Sequence, residues 1–279
     1  MNLVFFRQWR ILAADELQQL FFRKRALITF LFYAGTLALT FFLLGQSQEL
    51  LAKINAELNL PLHERYLLKK SLEHLSVPKQ VIDSYPVLGY PLPLLIYFFT
   101  SLFMPAFLVP FISCDMISQD LASGTHRFLL FRVSRAAYYW AKAFAHLCLY
   151  LLIQGALLVL VLGFSFWYFP LLFSQNFFMQ CGESLARLLP ILILFVSFTQ
   201  AVSGQCKGPV KSWMLNQTTL LFLMLVTFWK PSFSFFDPFL WKGLLQSDPA
   251  TLTASFLGFG AWSAVFWGGG FALFWMKRL

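Results

Sequence analysis

The sequence predicts an all-α polytopic membrane protein, and three observations support this fold class. Of the 279 residues, 59% are hydrophobic and only 12% are charged, whereas soluble domains carry about 25% charged residues. The mean hydropathy is +0.68. The chain also has 35 Phe, 9 Trp and 9 Tyr, which suits a lipid-facing surface with aromatic interfacial belts. These values exclude a disordered chain, a disulfide scaffold and an ordinary cytosolic enzyme.

Six stretches of the chain are long and apolar enough to cross a bilayer as helices. A hydrocarbon core of about 30 Å requires roughly 20 apolar residues at a rise of about 1.5 Å per residue. The predicted spans are 26–45, 92–113, 144–169, 185–202, 213–229 and 253–276. The fifth span is the weakest, because polar residues interrupt its first turns: Asn216, Gln217, Thr218 and Thr219.

The basic residues predict that both ends of the chain lie on the inner side of the membrane. With six spans in that orientation, the inner segments hold thirteen basic and four acidic residues, and eight of each remain outside. The whole formal charge of +9 then lies inside, as the positive-inside rule requires. Because this rule accounts for the charge, we expect no nucleic-acid partner.

Three segments outside the spans are predicted to be helical and close to the membrane surface. Residues 3–25 form an amphipathic interfacial helix, whose apolar stripe consists of Phe6, Trp9, Ala13, Leu17 and Leu20 and is interrupted by Glu16. This helix is either a topology anchor or an entry helix that also braces a partner. The outer loop 46–91 contains two short amphipathic helices, and the aromatic-rich segment 231–248 forms short outer interfacial helices.

The last span carries small residues at four-residue steps. They are Gly260, Ala264, Gly268 and Ala272. Such a ladder allows another helix to approach closely. We interpret it as a site of helix packing, within this chain in preference to a dimer face.

The chemistry of an enzyme or of an ion-driven carrier is missing from the sequence. No Asp or Glu lies inside any predicted span, although proton and sodium carriers bury carboxylates for function. No paired carboxylates, metal-binding helix, nucleophile elbow or phosphate-binding loop occurs. We therefore expect no catalytic, cofactor or metal site, and any uphill transport must draw its energy from a partner.

The inner loop 114–142 has the most distinctive order of residues outside the spans. Two acidic residues come first, a glycine breaks the helix, a leucine pair supplies an apolar contact, and basic residues follow. In chain order they are Asp115, Asp120, Gly124, Thr125, Leu129, Leu130, Arg132, Arg135 and Lys142. The positive-inside rule is enough to explain the arginines of this loop, but it does not explain the order of the other residues. The complete order indicates a short helix that docks in the groove of a partner.

This loop resembles that of the ABC-2-type permeases, the transmembrane subunits of ABC exporters. Their second span is followed by an acidic residue, a helix, Gly-Thr, a Leu-Leu pair, Pro-Val-Ser-Arg and a Lys. The matching residues here are Asp120, Gly124, Thr125, Leu129, Leu130, Val133, Ser134, Arg135 and Lys142. Arg132 replaces the usual proline, and His126 is unusual. The predicted spans and interfacial helices also fit this family.

The resemblance implies a permease subunit that pairs with a second one, identical or related, to enclose the translocation pathway. Two separate cytosolic ATPases, which bind ATP and Mg²⁺, would drive export. Coupling to them would use the inner loop, with Asp115, Asp120, Gly124, Thr125, Leu129, Leu130, Arg132 and Arg135 as its residues. The family also implies the inner membrane of a bacterium, with both termini in the cytoplasm.

Three alternatives remain open from the sequence. In the first, the chain is an ABC-type membrane subunit that serves the assembly of periplasmic machinery together with a periplasmic partner. In the second it is an uncoupled channel or scaffold, and in the third it is a membrane enzyme that acts on lipids. A lipid enzyme requires a polar catalytic cluster near an interface, and the sequence contains none.

Overall fold

The computed structural model describes residues 3–22, 24–46, 92–168, 175–229, 244 and 249–276. Within these residues every regular element is a helix. We number them α1 (Leu3–Phe22), α2 (Lys24–Gln46), α3 (Leu92–Ser113), α4 (Ser118–Ser123), α5 (Thr125–Arg132), α6 (Arg135–Tyr168), α7 (Gln175–Ser203), α8 (Pro209–Trp229) and α9 (Pro249–Met276). Most of the predicted outer loop 46–91 and all but Leu244 of the segment 231–248 lie outside the described residues.

The helix α7 is the centre of the bundle. It packs against α3, α6, α8 and α9, and 67% of its apolar stretch is buried, against 28% for α2, 33% for α6 and 17% for α9. Apolar side chains therefore cover the outer helices, where a soluble protein would place polar ones. This arrangement is that of a membrane protein, whose outer surface contacts lipid.

Four described helices are long and apolar enough to span a membrane: Lys24–Phe42, Arg135–Trp167, Asn176–Ser203 and Pro249–Met276. A bent pair of helices, Pro93–Leu102 and Met104–Ser123, which meet at 51°, is a fifth candidate if the pair crosses the membrane as one span. Pro105 follows the bend and has no N–H to donate to the preceding turn. Among the described residues α8 does not meet the same requirement of length and hydropathy, so the sixth span stays a prediction.

Two helices begin earlier than the apolar runs predicted. The third span was placed at 144–169, but α6 already begins at Arg135. The fourth was placed at 185–202, but α7 begins at Gln175. Each extension contains a charged side chain that the structure pairs: Lys142 in α6 pairs with two carboxylates, and Glu183 in α7 pairs with Arg187. A span predicted from hydropathy begins after charged residues such as Lys142 and Glu183. The helix itself continues through them, because each charge is compensated by an oppositely charged side chain.

The apolar stripe predicted for α1 packs mainly against α6. Ala13 and Leu20 are buried, and Glu16 is buried between them. The ring centroids of Trp9 and of Phe144 on α6 lie 4.9 Å apart, with the ring planes tilted by 56°. The carboxylate that interrupts the stripe in the sequence is thus part of a contact between helices.

The polar and apolar faces of α8 are arranged in the reverse of a soluble helix. Ser212, Asn216 and Leu220 are buried, whereas Trp213 and Phe222 are 40% and 62% exposed. Asn216 Nδ2 donates to the Ser212 carbonyl at 2.9 Å. The polar residues that weakened this predicted span therefore include one that faces the protein interior.

The small-residue ladder of α9 does not pack within the described part of this chain. Its four residues, Gly260, Ala264, Gly268 and Ala272, are all exposed, and packing of the ladder within this chain stays a prediction. The close approach occurs at Gly270, where a Cβ would lie 2.7 Å from Ala201 Cβ and 2.7 Å from the Tyr139 hydroxyl. The period of small residues identified the helix but not its packed face. Contact between the ladder and a second chain stays a prediction.

Candidate functional site

The inner loop folds into two short helices that meet at a glycine. Gly124 ends α4 with φ of +75°, a left-handed conformation that L side chains adopt only with strain. Thr125 begins α5, and its hydroxyl lies 2.7 Å from the Ser123 hydroxyl. The predicted break of the helix at Gly124-Thr125 is confirmed.

A single serine of α7 holds the start of α4. The Ser203 hydroxyl accepts hydrogen bonds from the backbone N–H groups of Ile117 and Ser118, both at 3.0 Å, and donates to the Cys114 carbonyl at 3.1 Å. These groups are buried and are costly to leave without partners. The loop is therefore fixed to the central helix of the bundle at the point where it leaves α3.

The two acidic residues predicted for the loop both point into the protein. Asp115 is 6% exposed and lies 3.4 Å from Arg25 of α2. Asp120 accepts a 2.6 Å hydrogen bond from the Tyr138 hydroxyl and lies 2.9 Å from Lys142 Nζ, both on α6. These carboxylates attach the loop to membrane helices, and a direct contact of either with a partner stays a prediction.

The remaining predicted residues divide between the two sides of the loop. Leu129 and Leu130 are half-buried against the core, and Thr125 and Arg132 are exposed. Arg135 donates to the Trp275 carbonyl of α9 at 2.8 Å, and its guanidinium carbon lies 5.7 Å from the Trp275 ring centroid. The structure therefore brings Asp120, Leu129 and Leu130 to the inward side and leaves Arg132 outward, whereas the exposed Thr125 also lines a cavity on the inward side.

The residue that joins these elements is Lys142. Its ammonium lies 3.0 Å from Glu16 of α1 and 2.9 Å from Asp120 of α4, and its side chain is only 8% exposed. A cavity of about 190 Å³ lies at this junction, lined by Glu16, Asp120, Thr125, Tyr138 and Lys142 among others. One buried cation thus connects α1, the inner loop and α6.

A chain of polar groups continues from this junction towards the middle of α6. His146 Nε2 lies 3.9 Å from Glu16 Oε1, and His146 Nδ1 lies 2.7 Å from the Ser113 hydroxyl. The Ser113 hydroxyl lies 2.9 Å from the Tyr150 hydroxyl, which donates to the Val109 carbonyl at 3.0 Å. We call Glu16, Ser113, Asp120, Lys142, His146 and Tyr150 the inner polar cluster.

Sequence reasoning missed this cluster, although a signal for part of it was present. Polar side chains recur at four-residue steps along α6: Tyr138, Lys142, His146, Tyr150 and Gln154. Residues four apart lie on one helical face. Nothing local indicated that Glu16 would join them from 126 residues away.

An aromatic groove lies beside the cluster. It has a volume of about 690 Å³ and lies between α1, α6 and α9. Its aromatic lining consists of Phe5, Phe6, Trp9, Trp140, Phe144 and Trp267. The Trp267 indole donates to Gln200 at 2.9 Å, which fixes one wall of the groove.

The described part of the chain contains no group of three His, Cys, Asp or Glu side chains arranged to hold a metal ion.

Comparison with known proteins gives no identification, because neither a family model, nor a curated protein, nor a solved structure matches this chain.

Proposed function

We propose that this chain is the transmembrane subunit of an ABC-2-type exporter, coupled through its inner loop to separate cytosolic ATPases. The observation that carries the proposal is the two-helix loop broken at Gly124, which is attached to α2, α6 and α7 on one side. A loop that transmits force requires such attachment, because a flexible one would absorb the motion of its partner.

The opposite side of the loop supports docking of a partner. Phe131 is 89% exposed, and Arg132 beside it is also exposed. Aromatic and arginine side chains supply much of the binding energy at protein interfaces. The partner is an ATPase that binds ATP and Mg²⁺, since this chain has no motif for either.

The orientation of α8 supports six spans with both termini in the cytoplasm. Its interior face carries Ser212 and Asn216, and its exposed face carries Trp213 and Phe222. A helix with this distribution is stable where lipid surrounds the protein, because its apolar side chains face hydrocarbon and its polar ones face the interior of the bundle. We place the chain in the inner membrane of a bacterium, paired with a second permease subunit.

The residues of this chain would transmit motion as a lever. Closure of the ATPase pair displaces α4 and α5, and the contacts of Asp120 and Ser203 pass that displacement to α6 and α7. Because the packed elements move as units, a shift at the loop becomes a tilt of the spans. This chain supplies the pathway, and the ATPase supplies the chemistry.

The first test is gentle purification of the tagged chain with identification of everything that co-purifies. We expect a P-loop ATPase at a ratio of two membrane chains to two ATPase chains. A chain that purifies without an ATPase would contradict the proposal and favour a channel or scaffold. A dedicated periplasmic protein in the complex would favour assembly of periplasmic machinery.

Gly124→Val tests the loop itself. The side chain is incompatible with φ of +75°, so we expect at least a tenfold loss of stimulated ATP turnover with membrane insertion unchanged. Gly163→Val is the matched control, because Gly163 is an exposed helical glycine with no described atom within 4 Å of its Cβ position. Loss of insertion in Gly124→Val alone would make Gly124 structural.

Phe131→Ala tests the docking surface. We expect about tenfold weaker association with the ATPase, because a truncated aromatic anchor removes about 1–2 kcal/mol or more. Phe107→Ala is the control, since Phe107 is 54% exposed on α3. Equal association of both variants would remove Phe131 from the interface.

A further inference from the structure

The aromatic groove between α1, α6 and α9 lies at a definite depth in the helix bundle. The helix α6 has 34 residues and is about 51 Å long at about 1.5 Å per residue. It therefore extends beyond a hydrocarbon core of about 30 Å, by about 10 Å at each end if the excess is shared. The groove residues of α6 run from Trp140 to Leu147, about 8 to 18 Å from the start of the helix. The groove thus lies where the headgroups meet the acyl chains.

Each of the three helices contributes a tryptophan to the groove. They are Trp9 of α1, Trp140 of α6 and Trp267 of α9. Trp267 is nine residues from Met276, the last residue of α9, which places it at a depth similar to that of Trp140. Tryptophan is enriched at the boundary between headgroups and hydrocarbon. This composition is typical of a surface that contacts lipid at that level.

Contacts within the chain hold the walls of the groove in place. The ring centroids of Trp140 and Trp267 lie 5.3 Å apart with the ring planes at 67°, and the Trp267 indole donates to Gln200. Binding sites for small molecules are mostly apolar, largely preformed and about 300–1,000 Å³ in volume. The groove has a volume of about 690 Å³. It can therefore take an acyl chain without repacking of its walls.

Two arginines of α1 supply positive charge beside the groove. Arg10 is four residues after Phe6, which lines the groove, so the two lie on one face of the helix. Arg7 is three residues before Arg10 and is its neighbour on the helix surface. Both arginines are exposed, whereas Asp15 of the same helix lines the cavity at Lys142. An apolar groove with cations beside it matches a molecule with an apolar tail and a negative headgroup.

We propose that the aromatic groove binds one anionic phospholipid from the leaflet beside α1. One acyl chain lies against the aromatic side chains, and the phosphate lies beside the guanidinium groups of Arg7 and Arg10. Arginine suits this role, because its planar fork can donate two parallel hydrogen bonds to a phosphate. The bound lipid joins the beginning of α1 to α6 and α9. The proposal requires only that the chain lies in a membrane and does not depend on the proposed transport function.

Native mass spectrometry of the full chain in detergent tests the proposal. The probes are phosphatidylglycerol, which is anionic, and phosphatidylcholine with the same acyl chains, which has no net charge. We expect one phosphatidylglycerol per chain to bind saturably and phosphatidylcholine to bind at least tenfold more weakly. Equal binding of the two lipids, or binding that does not saturate, would overturn the proposal without any variant having to fold.

The double variant Arg7→Gln, Arg10→Gln tests the phosphate site. Each arginine near an anionic headgroup contributes about a fivefold gain in affinity. We therefore expect phosphatidylglycerol to bind at least tenfold more weakly and phosphatidylcholine to bind as before. Lys207→Gln, Lys211→Gln is the matched control, because it removes two exposed cations at the start of α8 and should leave both affinities unchanged. An equal loss in the two double variants would show attraction by net charge alone and contradict the site.

Phosphatidylglycerol with a diazirine on one acyl chain locates the tail. We expect light-induced labelling of the segments 5–9 and 140–147, reduced at least threefold in Phe6→Ala. Phe222→Ala is the control, because Phe222 is 62% exposed on α8, which does not line the groove. Labelling confined to other segments would refute the proposal. A dimer of the chain with no labelling in the groove would assign the groove to a second copy and also overturn it.

Discussion

Polar side chains at four-residue steps lie on one face of α6, and the inner half of the helix buries them differently from its central part. Near the inner end, Lys142 lies between two carboxylates supplied by α1 and α4. Three turns further, the side-chain amide nitrogen of the neutral Gln154 lies 3.5 Å from the Tyr33 hydroxyl, and the backbone carbonyl of Gln154 accepts from Tyr97 at 3.1 Å. On this face of α6, the ionised Lys142 lies where α1 and α4 supply carboxylates. The neutral Gln154 lies where the described neighbours belong to α2 and α3.

The difference explains why a buried charge is tolerated at the inner end of α6. A buried ion is stable only when compensating charges and hydrogen bonds are fixed around it. The helix α1 brings Glu16 to that position, whereas α2 and α3 offer only hydroxyl groups to Gln154. The comparison predicts that substitutions in the inner half have large effects and that those in the centre have small ones.

Lys142→Met should have the largest effect on stability. It leaves Glu16 and Asp120 buried without their shared cation, and breaking such a pair costs about 3–5 kcal/mol. Unfolding in mixed micelles measures the change, with the exposed Lys211→Met as control. The triple variant Glu16→Gln, Asp120→Asn, Lys142→Met should recover most of the loss. A Lys142→Met protein as stable as the control would refute the role of the cluster.

Gly270→Ala in α9 should have an intermediate effect on stability. Gly270 lies beside Tyr139, which is on another face of the inner half of α6. Its Cβ would lie 2.7 Å from both the Tyr139 hydroxyl and Ala201 Cβ. Overpacking of this kind costs about 1–3 kcal/mol. Gly268→Ala is the control, because no described atom lies within 4 Å of its Cβ position. If the two variants unfold at the same denaturant concentration, α9 does not pack through Gly270.

Gln154→Leu should have the smallest effect. Hydrogen bonds between spans contribute on average about 0.6 kcal/mol, and leucine keeps a similar volume at this buried position. The same unfolding measurement should separate this variant clearly from Lys142→Met. A loss of several kcal/mol would show that the centre of the stripe is as demanding as its inner end, which would contradict the comparison.

Much of the fold could be predicted from local sequence. Apolar runs identified α2, α3 and the cores of α6, α7 and α9, because the length of an apolar segment is a property of the chain alone. The break at Gly124 was predictable for a similar reason, since a left-handed residue between two short helices favours glycine. The early starts of α6 and α7 were not, because their charges are compensated by the fold.

The candidate site was predictable only in part. The loop and its residue order were evident, but the inward direction of Asp115 and Asp120 was not. The exposure of Phe131 was missed because hydropathy does not distinguish an outward aromatic residue from a packed one. In α9 the small-residue ladder pointed to Gly268, and the close contact is made by Gly270.

The sequence by itself determined that the chain is a helical membrane protein and where its inner loop breaks, since hydropathy and backbone preference act over a few neighbouring residues. The tertiary structure decided which groups share Lys142, which serine holds the start of α4 and which glycine of α9 is packed. These contacts include one between residues 126 positions apart in the chain. Their energies come from burial and charge compensation, which exist only after the helices have met.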